Sequence, residues 1–306
     1  MKQRNSKQIN LTRPHRRFSF GGKYSFILTF GLVIFLVYLF ICVAPVITSI
    51  GYGFFDVSTG DIAGGKFVGY ANYGAIFHDR EFWMSFRNDL LIILGKVVLI
   101  SIVSVFFAVS FTKFGLNRVE SGIYRFLCYL PAILSVVVIT YFWQSFFDGN
   151  YGFFALLSGQ SNNLISTHPI AIITFIASWA GIGYFVIVLI SSINGIPQSV
   201  YEAARLDGAN QVQQLFRITL PEVRNQIVYM IVSIISGSFA GNMNLTLPFF
   251  ANRNENNMVM GTYIYHYAND YNELGYSNAA AVILMVISFV VCYSLNQALT
   301  RGEEQS

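Results

Sequence analysis

The sequence predicts an all-α integral membrane protein with six transmembrane helices and both termini in the cytoplasm. Three observations support this prediction. Of the 306 residues, 54% are hydrophobic and only 11% are charged, whereas soluble domains carry about 25% charged residues. Six apolar segments each reach the length of roughly 20 residues that a bilayer crossing requires. A run of basic residues without any acid precedes the first segment, which is typical of a cytoplasmic flank.

The amino-terminal residues 1–24 are predicted to be a basic cytoplasmic tail. Lysines and arginines occur throughout this segment and acids are absent. Charge alone would also permit a nucleic-acid-binding arm, but the apolar run that follows favours a membrane anchor over nucleic acid. That run is too long for a signal-peptide core and lacks a small-x-small cleavage site.

The membrane domain is predicted to cover residues 25–300. Loop charge sets its topology, because the short connection around Lys113, Arg118 and Arg125 is basic and should lie inside, while the connections 51–88, 148–169 and 251–277 lack this bias and should lie outside. Six spans with both ends inside then place the 199–221 loop in the cytoplasm. Residues 301–306 then form a short cytoplasmic tail. The six predicted spans cover residues 25–50, 90–111, 126–147, 170–193, 228–250 and 278–299.

Few residues suggest chemistry within the membrane. Lys96 is interpreted as a lysine whose ammonium reaches the outer interface, with a charge in the transport pathway as the alternative. The four histidines show no paired spacing for a metal ion, and no nucleophile–base pair or Walker A pattern is visible. We therefore expect no metal site and no enzymatic activity.

The polar segment from Ser199 to Pro221 separates two strongly apolar runs. Ser199 and Glu202 have the spacing of a capping box, which predicts that a short helix starts there. Gly208 permits a sharp bend through positive φ. Asn210 can cap a second short helix that runs through Gln211 to Arg217 and that Pro221 ends. The segment is thus predicted to be a helix–turn–helix element between two spans.

The order of residues in this segment resembles a known motif. Glu202-Ala203-Ala204, three residues, Gly208, nine residues, Ile218, one residue and Leu220-Pro221 resemble the EAA loop of permease subunits of binding-protein-dependent ABC importers. The alternative is an ordinary amphipathic loop between helices. FVGYANYGAIF, YRFLCYLPAILSVVVITYFWQSFF and MGTYIYHYANDYNELGYSNAAAVIL resemble the carbohydrate-uptake branch, with its maltose- and glycerol-phosphate-type permeases.

The resemblance implies a type I ABC importer permease core in the bacterial cell membrane. It implies a cytoplasmic coupling loop, residues 194–225, that docks on a cytoplasmic ABC ATPase dimer. ATP and Mg would then lie on the ATPase subunits, with no cofactor on this chain. A second homologous permease, an extracytoplasmic solute-binding protein and a carbohydrate substrate are implied as well. The residues implied in coupling are Glu202, Ala203, Ala204, Asp207 and Gly208.

The family's translocation pathway lies on the helices that flank the coupling loop. Trp179 offers an aromatic face that suits a sugar ring, with a packing role as the alternative. Asn242 is either in the pathway or hydrogen-bonded to another helix. The candidate pathway residues are Trp179, Gly181, Tyr184, Gly237, Ser238, Gly241 and Asn242.

Our interpretation is therefore a permease subunit that forms the pathway for a sugar or oligosaccharide. An ABC permease for a non-sugar solute is the first alternative. A self-contained secondary transporter or channel is the second, and it would need ionisable groups at the membrane midplane. Lys96 is the single candidate for such a group.

Overall fold

The computed structural model describes residues 20–113, 118–158, 164–250, 254 and 256–300. Most of the predicted basic tail, residues 1–19, and the predicted tail 301–306 lie outside the described residues. The chain divides into two compact units, residues 1–48 and residues 49–306.

The described residues of the first unit, 20–48, are helical. They comprise α1 (Phe20–Tyr38), a π-helical segment (Leu39–Val43) and the beginning of α2 (Ala44–Tyr52). The π-helical turn lies just before Pro45, whose missing N–H interrupts the regular backbone hydrogen bonds. Apolar side chains along this helix are exposed, as expected where lipid is the solvent.

The second unit is mainly helical, and after the end of α2 it has a small hairpin that the sequence did not predict. Strands β1 (Phe55–Ser58) and β2 (Asp61–Phe67) pair antiparallel. The helices that follow are α3 (Ala71–His78), α4 (Arg80–Lys113), α5 (Arg118–Ile133), α6 (Val136–Phe146), α7 (Phe153–Ser158), α8 (Leu164–Thr167), α9 (Pro169–Asn194), α10 (Gln198–Leu206), α11 (Gln211–Gln214), α12 (Leu220–Glu222), α13 (Arg224–Phe249), α14 (Met260–Asn269) and α15 (Leu274–Thr300).

Within the described residues, four helices are long and apolar enough to cross a membrane, or up to six if each bent pair of helices is one span. The prediction of an all-α membrane protein is confirmed. Helix α4 begins at Arg80, well before the predicted start of the second span at residue 90. The Asp79 carboxylate accepts a hydrogen bond from the Glu81 N–H at 2.8 Å, which satisfies a donor in the first turn of the helix.

The third predicted span, residues 126–147, is two helices rather than one. Helices α5 and α6 meet at an angle of 96°. Pro131 lies in the last turn of α5, where it lacks the N–H that would bond to the Leu127 carbonyl and so weakens this turn. The Ser135 hydroxyl then accepts from the Val138 N–H and begins α6. A continuous hydropathy profile does not reveal such a break.

Three apolar clusters form the core of the second unit, and each contains side chains from both α4 and α13. Helix α9 packs closely on α5, because a Cβ at Gly183 would lie 2.0 Å from the Cys128 carbonyl oxygen. Glycine at this position therefore permits backbone contact between the two helices.

A tyrosine cluster surrounds Asp79, directly before α4. One oxygen of the Asp79 carboxylate accepts hydrogen bonds from Tyr263 at 2.5 Å, Tyr276 at 3.0 Å and Tyr267 at 3.1 Å. Burial first, and the neighbouring Asp79 carboxylate in addition, raises the pKa of the Tyr263 and Tyr267 phenols above the usual value. These phenols therefore stay neutral donors, and they connect α14 and α15 to the start of α4.

Candidate functional site

The segment that resembles the EAA loop forms two short helical arms joined by a bend. The first arm is α10. The second consists of α11, a π-helical segment (Leu215–Thr219) and α12. It therefore extends beyond Arg217, the predicted end, and Pro221 lies in the first turn of α12 rather than after a helix. A π-helical segment lies just before it, as before Pro45, where the proline N–H is missing from the backbone hydrogen bonds.

The predicted capping box of Ser199 and Glu202 is wrong. Helix α10 begins at Gln198, its N-cap is Pro197, and no side chain caps it. Pro197 has extended backbone with ψ 134°, which ends the preceding segment. Since the helix starts before Ser199, this serine lies inside the first turn, where a capping hydroxyl has no role.

The bend between the arms depends on Gly208. Its φ is +83°, the conformation predicted from the sequence. The Ala209 N–H donates to the Ala204 carbonyl at 2.9 Å, and the Gly208 N–H donates to the Arg205 carbonyl at 3.0 Å. This pair of bonds is a Schellman motif, which satisfies the last carbonyls of α10 and fixes the direction in which the chain leaves it.

The second arm starts with a complete capping box, as predicted for Asn210. The Asn210 side chain accepts from the Gln213 N–H, and the Gln213 side chain accepts from the Asn210 N–H, both at 2.9 Å. Two donors at the helix start are thereby satisfied reciprocally. The arm consequently has a defined beginning directly after the bend.

Tyr201 joins the two arms, and the sequence analysis did not identify it. It is 1% exposed. Its hydroxyl lies 3.0 Å from the Thr219 hydroxyl, which itself donates to the Gln214 carbonyl. The Gln214 amide in turn donates to the Ala209 carbonyl at 3.0 Å. The sequence offered one signal for this contact. Tyr201 directly precedes Glu202-Ala203-Ala204, and a large aromatic residue in a polar loop usually packs against a partner.

The residues implied in coupling lie on the surface of this element. Glu202, Ala203, Asp207 and Gly208 are exposed, and Ala204 is half-buried. Leu206 between them is 90% exposed. The loop thus combines a hydrogen-bonded interior with an outward surface that carries charge and exposed apolar side chains, among them Leu206, Val212 and Phe216.

The candidate pathway residues of α9 do not lie together. Trp179 packs against α6, with its ring centroid 5.3 Å from that of Trp143 and 6.4 Å from that of Phe142. Gly181 is half-buried near Ile100 of α4. Tyr184 is exposed, and its hydroxyl lies 3.3 Å from that of Tyr229 on α13. Among these three residues, only Tyr184 presents a polar group on an open surface.

The candidates on α13 also face different directions. Gly237 is exposed and Gly241 half-exposed, and a Cβ at either position would meet nothing within 4 Å. Ser238 is buried, and its hydroxyl donates to the Ile234 carbonyl of its own helix at 2.5 Å. In this structure Ser238 therefore contacts its own helix instead of an open face, whereas the two glycines border open space.

Asn242 is hydrogen-bonded to another helix, the second of the two roles considered for it. Its amide nitrogen donates to Asp89 of α4 at 2.7 Å, and its amide oxygen accepts from Lys96 at 3.3 Å. Lys96 thus does not extend to the interface as interpreted, because an acceptor inside the span holds its ammonium. Asp89 was missed because it falls at the boundary between the predicted loop and span.

Among the described residues, no group of three or more His, Cys, Asp or Glu side chains could hold a metal ion. A cavity of about 150 Å³ lies between the two arms of the loop and α4, lined by Val109, Arg205, Gln214 and Leu215 among others. Its lining contains no paired acid and base arranged for catalysis.

Comparison with known proteins places these features in a family. Residues 100–302 match the family model described as binding-protein-dependent transport system inner membrane component. The probable ABC transporter permease protein YurN of Bacillus subtilis is 26% identical over 257 residues, which cover 78% of this chain and 84% of the relative. The diacetylchitobiose uptake system permease protein NgcF of Streptomyces coelicolor is 23% identical, with 96% of this chain and 88% of the relative covered.

Solved structures share the fold. A bacterial ABC transporter involved in the import of the acidic polysaccharide alginate superposes with a TM-score of 0.78 at 19% identity, covering 91% of this chain and 96% of that chain. The family model covers most of the chain, including the two-armed loop and both helices that flank it. This chain therefore belongs to the family of inner membrane components of binding-protein-dependent transport systems, and it is a multi-pass membrane protein.

Proposed function

We propose that this chain is the permease subunit of an ABC importer for a sugar or oligosaccharide. The observation that supports this most strongly is the two-armed loop, residues 198–222, in which a buried hydrogen-bonded interior holds an exposed motif surface. Relatives named for carbohydrate uptake support the substrate class: NgcF, and AraP of Bacillus subtilis, an arabinooligosaccharides transport system permease protein that is 25% identical over 262 residues.

The loop couples this chain to the ATPase through its exposed surface. Glu202 offers a carboxylate and Leu206 an apolar anchor on the same short helix, four residues apart and hence on one face. Such a helix can lie in a groove of a partner protein. Gly208 and Tyr201 do not need to touch the partner, because their role is to hold the angle between the arms.

The pathway for the solute runs along the open side of α9 and α13. Gly237 and Gly241 leave the backbone of α13 accessible, and Tyr184 and Tyr229 provide hydroxyl groups beside it. Hydroxyls and aromatic faces are the groups that bind sugars. Trp179 contributes to this side through the aromatic cluster with α6.

Three kinds of partner complete the transporter. A second homologous permease covers the other side of the pathway, a cytoplasmic ATPase dimer holds ATP and Mg, and an extracytoplasmic binding protein delivers the solute. In this arrangement the loop 194–225 and both termini are cytoplasmic. ATP-driven closure of the ATPase dimer moves the loops and opens the pathway alternately to each side.

A transporter of a non-sugar solute remains the alternative, and one experiment separates the two. The tagged full-length chain is purified from its native membrane, and copurified proteins are identified by mass spectrometry. We expect an ABC ATPase and a second permease. Uptake of labelled mono- and oligosaccharides is then compared between a deletion strain and the same strain carrying the gene. Copurification of the ATPase without uptake of any sugar would exclude the sugar assignment, and absence of the ATPase would exclude the importer.

A further inference from the structure

A buried acid lies within α4. Asp89 is 0% exposed. One of its carboxylate oxygens accepts from the Asn242 amide at 2.7 Å, and the other accepts from the Met260 backbone N–H at 2.8 Å. The neighbouring Asn88, which is also 0% exposed, donates to the Met258 carbonyl at 2.8 Å. The two adjacent residues of α4 thus hold both the end of α13 and the start of α14.

A base lies on the same face of the same helix. Lys96 follows Asp89 by seven residues, which is close to two helical turns. Lys96 is half-buried, and its ammonium donates to the Asn242 amide oxygen at 3.3 Å. Within the part of the chain that the structure describes, no direct ion pair joins Asp89 and Lys96. Both charges instead bind opposite ends of one amide.

This arrangement fixes the orientation of Asn242. Its nitrogen must face the carboxylate, which only accepts, and its oxygen must face the ammonium, which only donates. Asn242 itself is 3% exposed. The amide is therefore buried, with a charged partner at each of its ends.

A charged side chain within a membrane-spanning helix needs a partner of opposite charge. An ionisable group within a transmembrane segment is costly unless a partner compensates its charge. Removal of one partner from a buried pair leaves an uncompensated charge and is strongly disruptive, whereas replacement of both can be nearly neutral. Asp89 and Lys96 carry opposite charges, so the group is neutral as a whole.

We propose that Asp89, Asn242 and Lys96 form a charge-compensated joint that holds α13 and the first turn of α14 on α4, and that transport requires this joint as a unit. Asp89 and Lys96 are positioning residues that act through Asn242, and neither contacts the solute. Helix α13 begins directly after the second arm of the loop, and it carries Asn242 about two turns before its other end. It therefore connects the loop with the joint. The inference rests on the proposed function only for its uptake measurement.

The test compares three variants of the full-length chain in its assembled complex: Asp89→Asn, Lys96→Met and the double variant. Each single variant leaves one buried charge without compensation. We expect each to lower the thermal melting midpoint and to reduce the maximal uptake rate by about tenfold or more. The double variant removes both charges and the bond from Lys96 to Asn242. The amide introduced at position 89 can still accept from the Met260 N–H, and it can donate to the Asn242 oxygen once the Asn242 amide turns over. The melting midpoint and the maximal uptake rate of the double variant should both return most of the way to the wild-type values. The KM for solute should be the same in all three variants as in the wild type.

A matched control pair lies on the hairpin. Asp56 and Lys66 are paired across β1 and β2, carry the same two charges and are exposed. Asp56→Asn and Lys66→Met should leave the melting midpoint and uptake close to the wild type, because exposed charge pairs contribute little.

Two results would overturn the proposal. If the double variant is as impaired as Lys96→Met and the KM rises, Lys96 binds solute directly. If both single variants melt and transport like the wild type, the joint has no role. The melting measurements need no solute, so they decide the coupling between Asp89 and Lys96 even if no sugar is transported. Single variants that fail to accumulate, together with a double variant that does accumulate, would support the joint.

Discussion

The bend at Gly208 should be essential for coupling, and Gly208→Val tests this. The glycine has a φ of +83°. A Cβ at this position would meet no atom within 4 Å. The substitution therefore causes no collision, and its cost comes entirely from the backbone conformation. Valine is among the residues least able to adopt it, because its Cβ is branched.

The magnitude follows from the local geometry. A left-handed conformation costs an L-residue roughly 1–2 kcal/mol, with β-branched side chains towards the upper end. If the chain relaxes to negative φ, it loses the two bonds of the Schellman motif, Ala209 to Ala204 and Gly208 to Arg205. Each bond contributes about 1 kcal/mol. Either way the native bend loses about 1–2 kcal/mol, which lowers its population relative to other loop conformations roughly 5- to 30-fold.

The assay measures solute uptake and the amount of ATPase that copurifies with the tagged chain. At wild-type expression, Gly208→Val should lose most of the uptake and most of the copurified ATPase. Glu202→Lys should lose both as well, because it reverses an exposed charge on the surface proposed to contact the ATPase. Gly208→Asn is the matched control, because asparagine tolerates the left-handed region. It should retain most of the uptake. Equal uptake by the valine and asparagine variants, with unchanged ATPase association, would refute the role of the bend.

Three further predictions concern the loop, the pathway and the topology. Tyr201→Phe keeps the buried ring but loses the bond to the second arm, so it should cost about 1 kcal/mol of loop stability and reduce uptake partially; uptake equal to the wild type would contradict this. Trp179→Ala should impair uptake while the complex still assembles, with Trp179→Phe as a milder control; unchanged kinetics for all sugars would leave a packing role only. In a chain without its native cysteines, Ser58→Cys should react with an impermeant thiol reagent on intact cells and Val212→Cys should not; the reverse pattern would exclude the proposed orientation.

The sequence predicted the fold class because membrane-spanning helices leave a strong signal in hydropathy. The helix at Pro169–Asn194 begins and ends within one residue of the predicted 170–193. The bend between α5 and α6 was not predictable in this way, because apolar residues flank Ser135 directly on both sides. The hairpin at residues 55–67 was missed since its strands are short and its residues mostly exposed.

The candidate site was predictable where local backbone chemistry determines it. Gly208 and Asn210 have the expected roles because positive φ and helix capping depend on the residue itself and its neighbours. The contact between Tyr201 and Thr219 and the link from Asp89 to Asn242 join residues distant in sequence. Such contacts depend on how the helices pack, which one sequence alone does not specify.

A site-specific photo-crosslink at Leu206 tests the central claim most directly, because this side chain is 90% exposed beside the motif. A photoreactive amino acid is placed there in the full-length chain, and at Phe67 on the hairpin, 70% exposed, as the control. After irradiation of native membranes, adducts are identified by mass spectrometry. We predict a crosslink between position 206 and an ABC ATPase and none from position 67. Absence of an ATPase adduct at position 206, or the same adduct at both positions, would contradict the assignment of this loop as the coupling element.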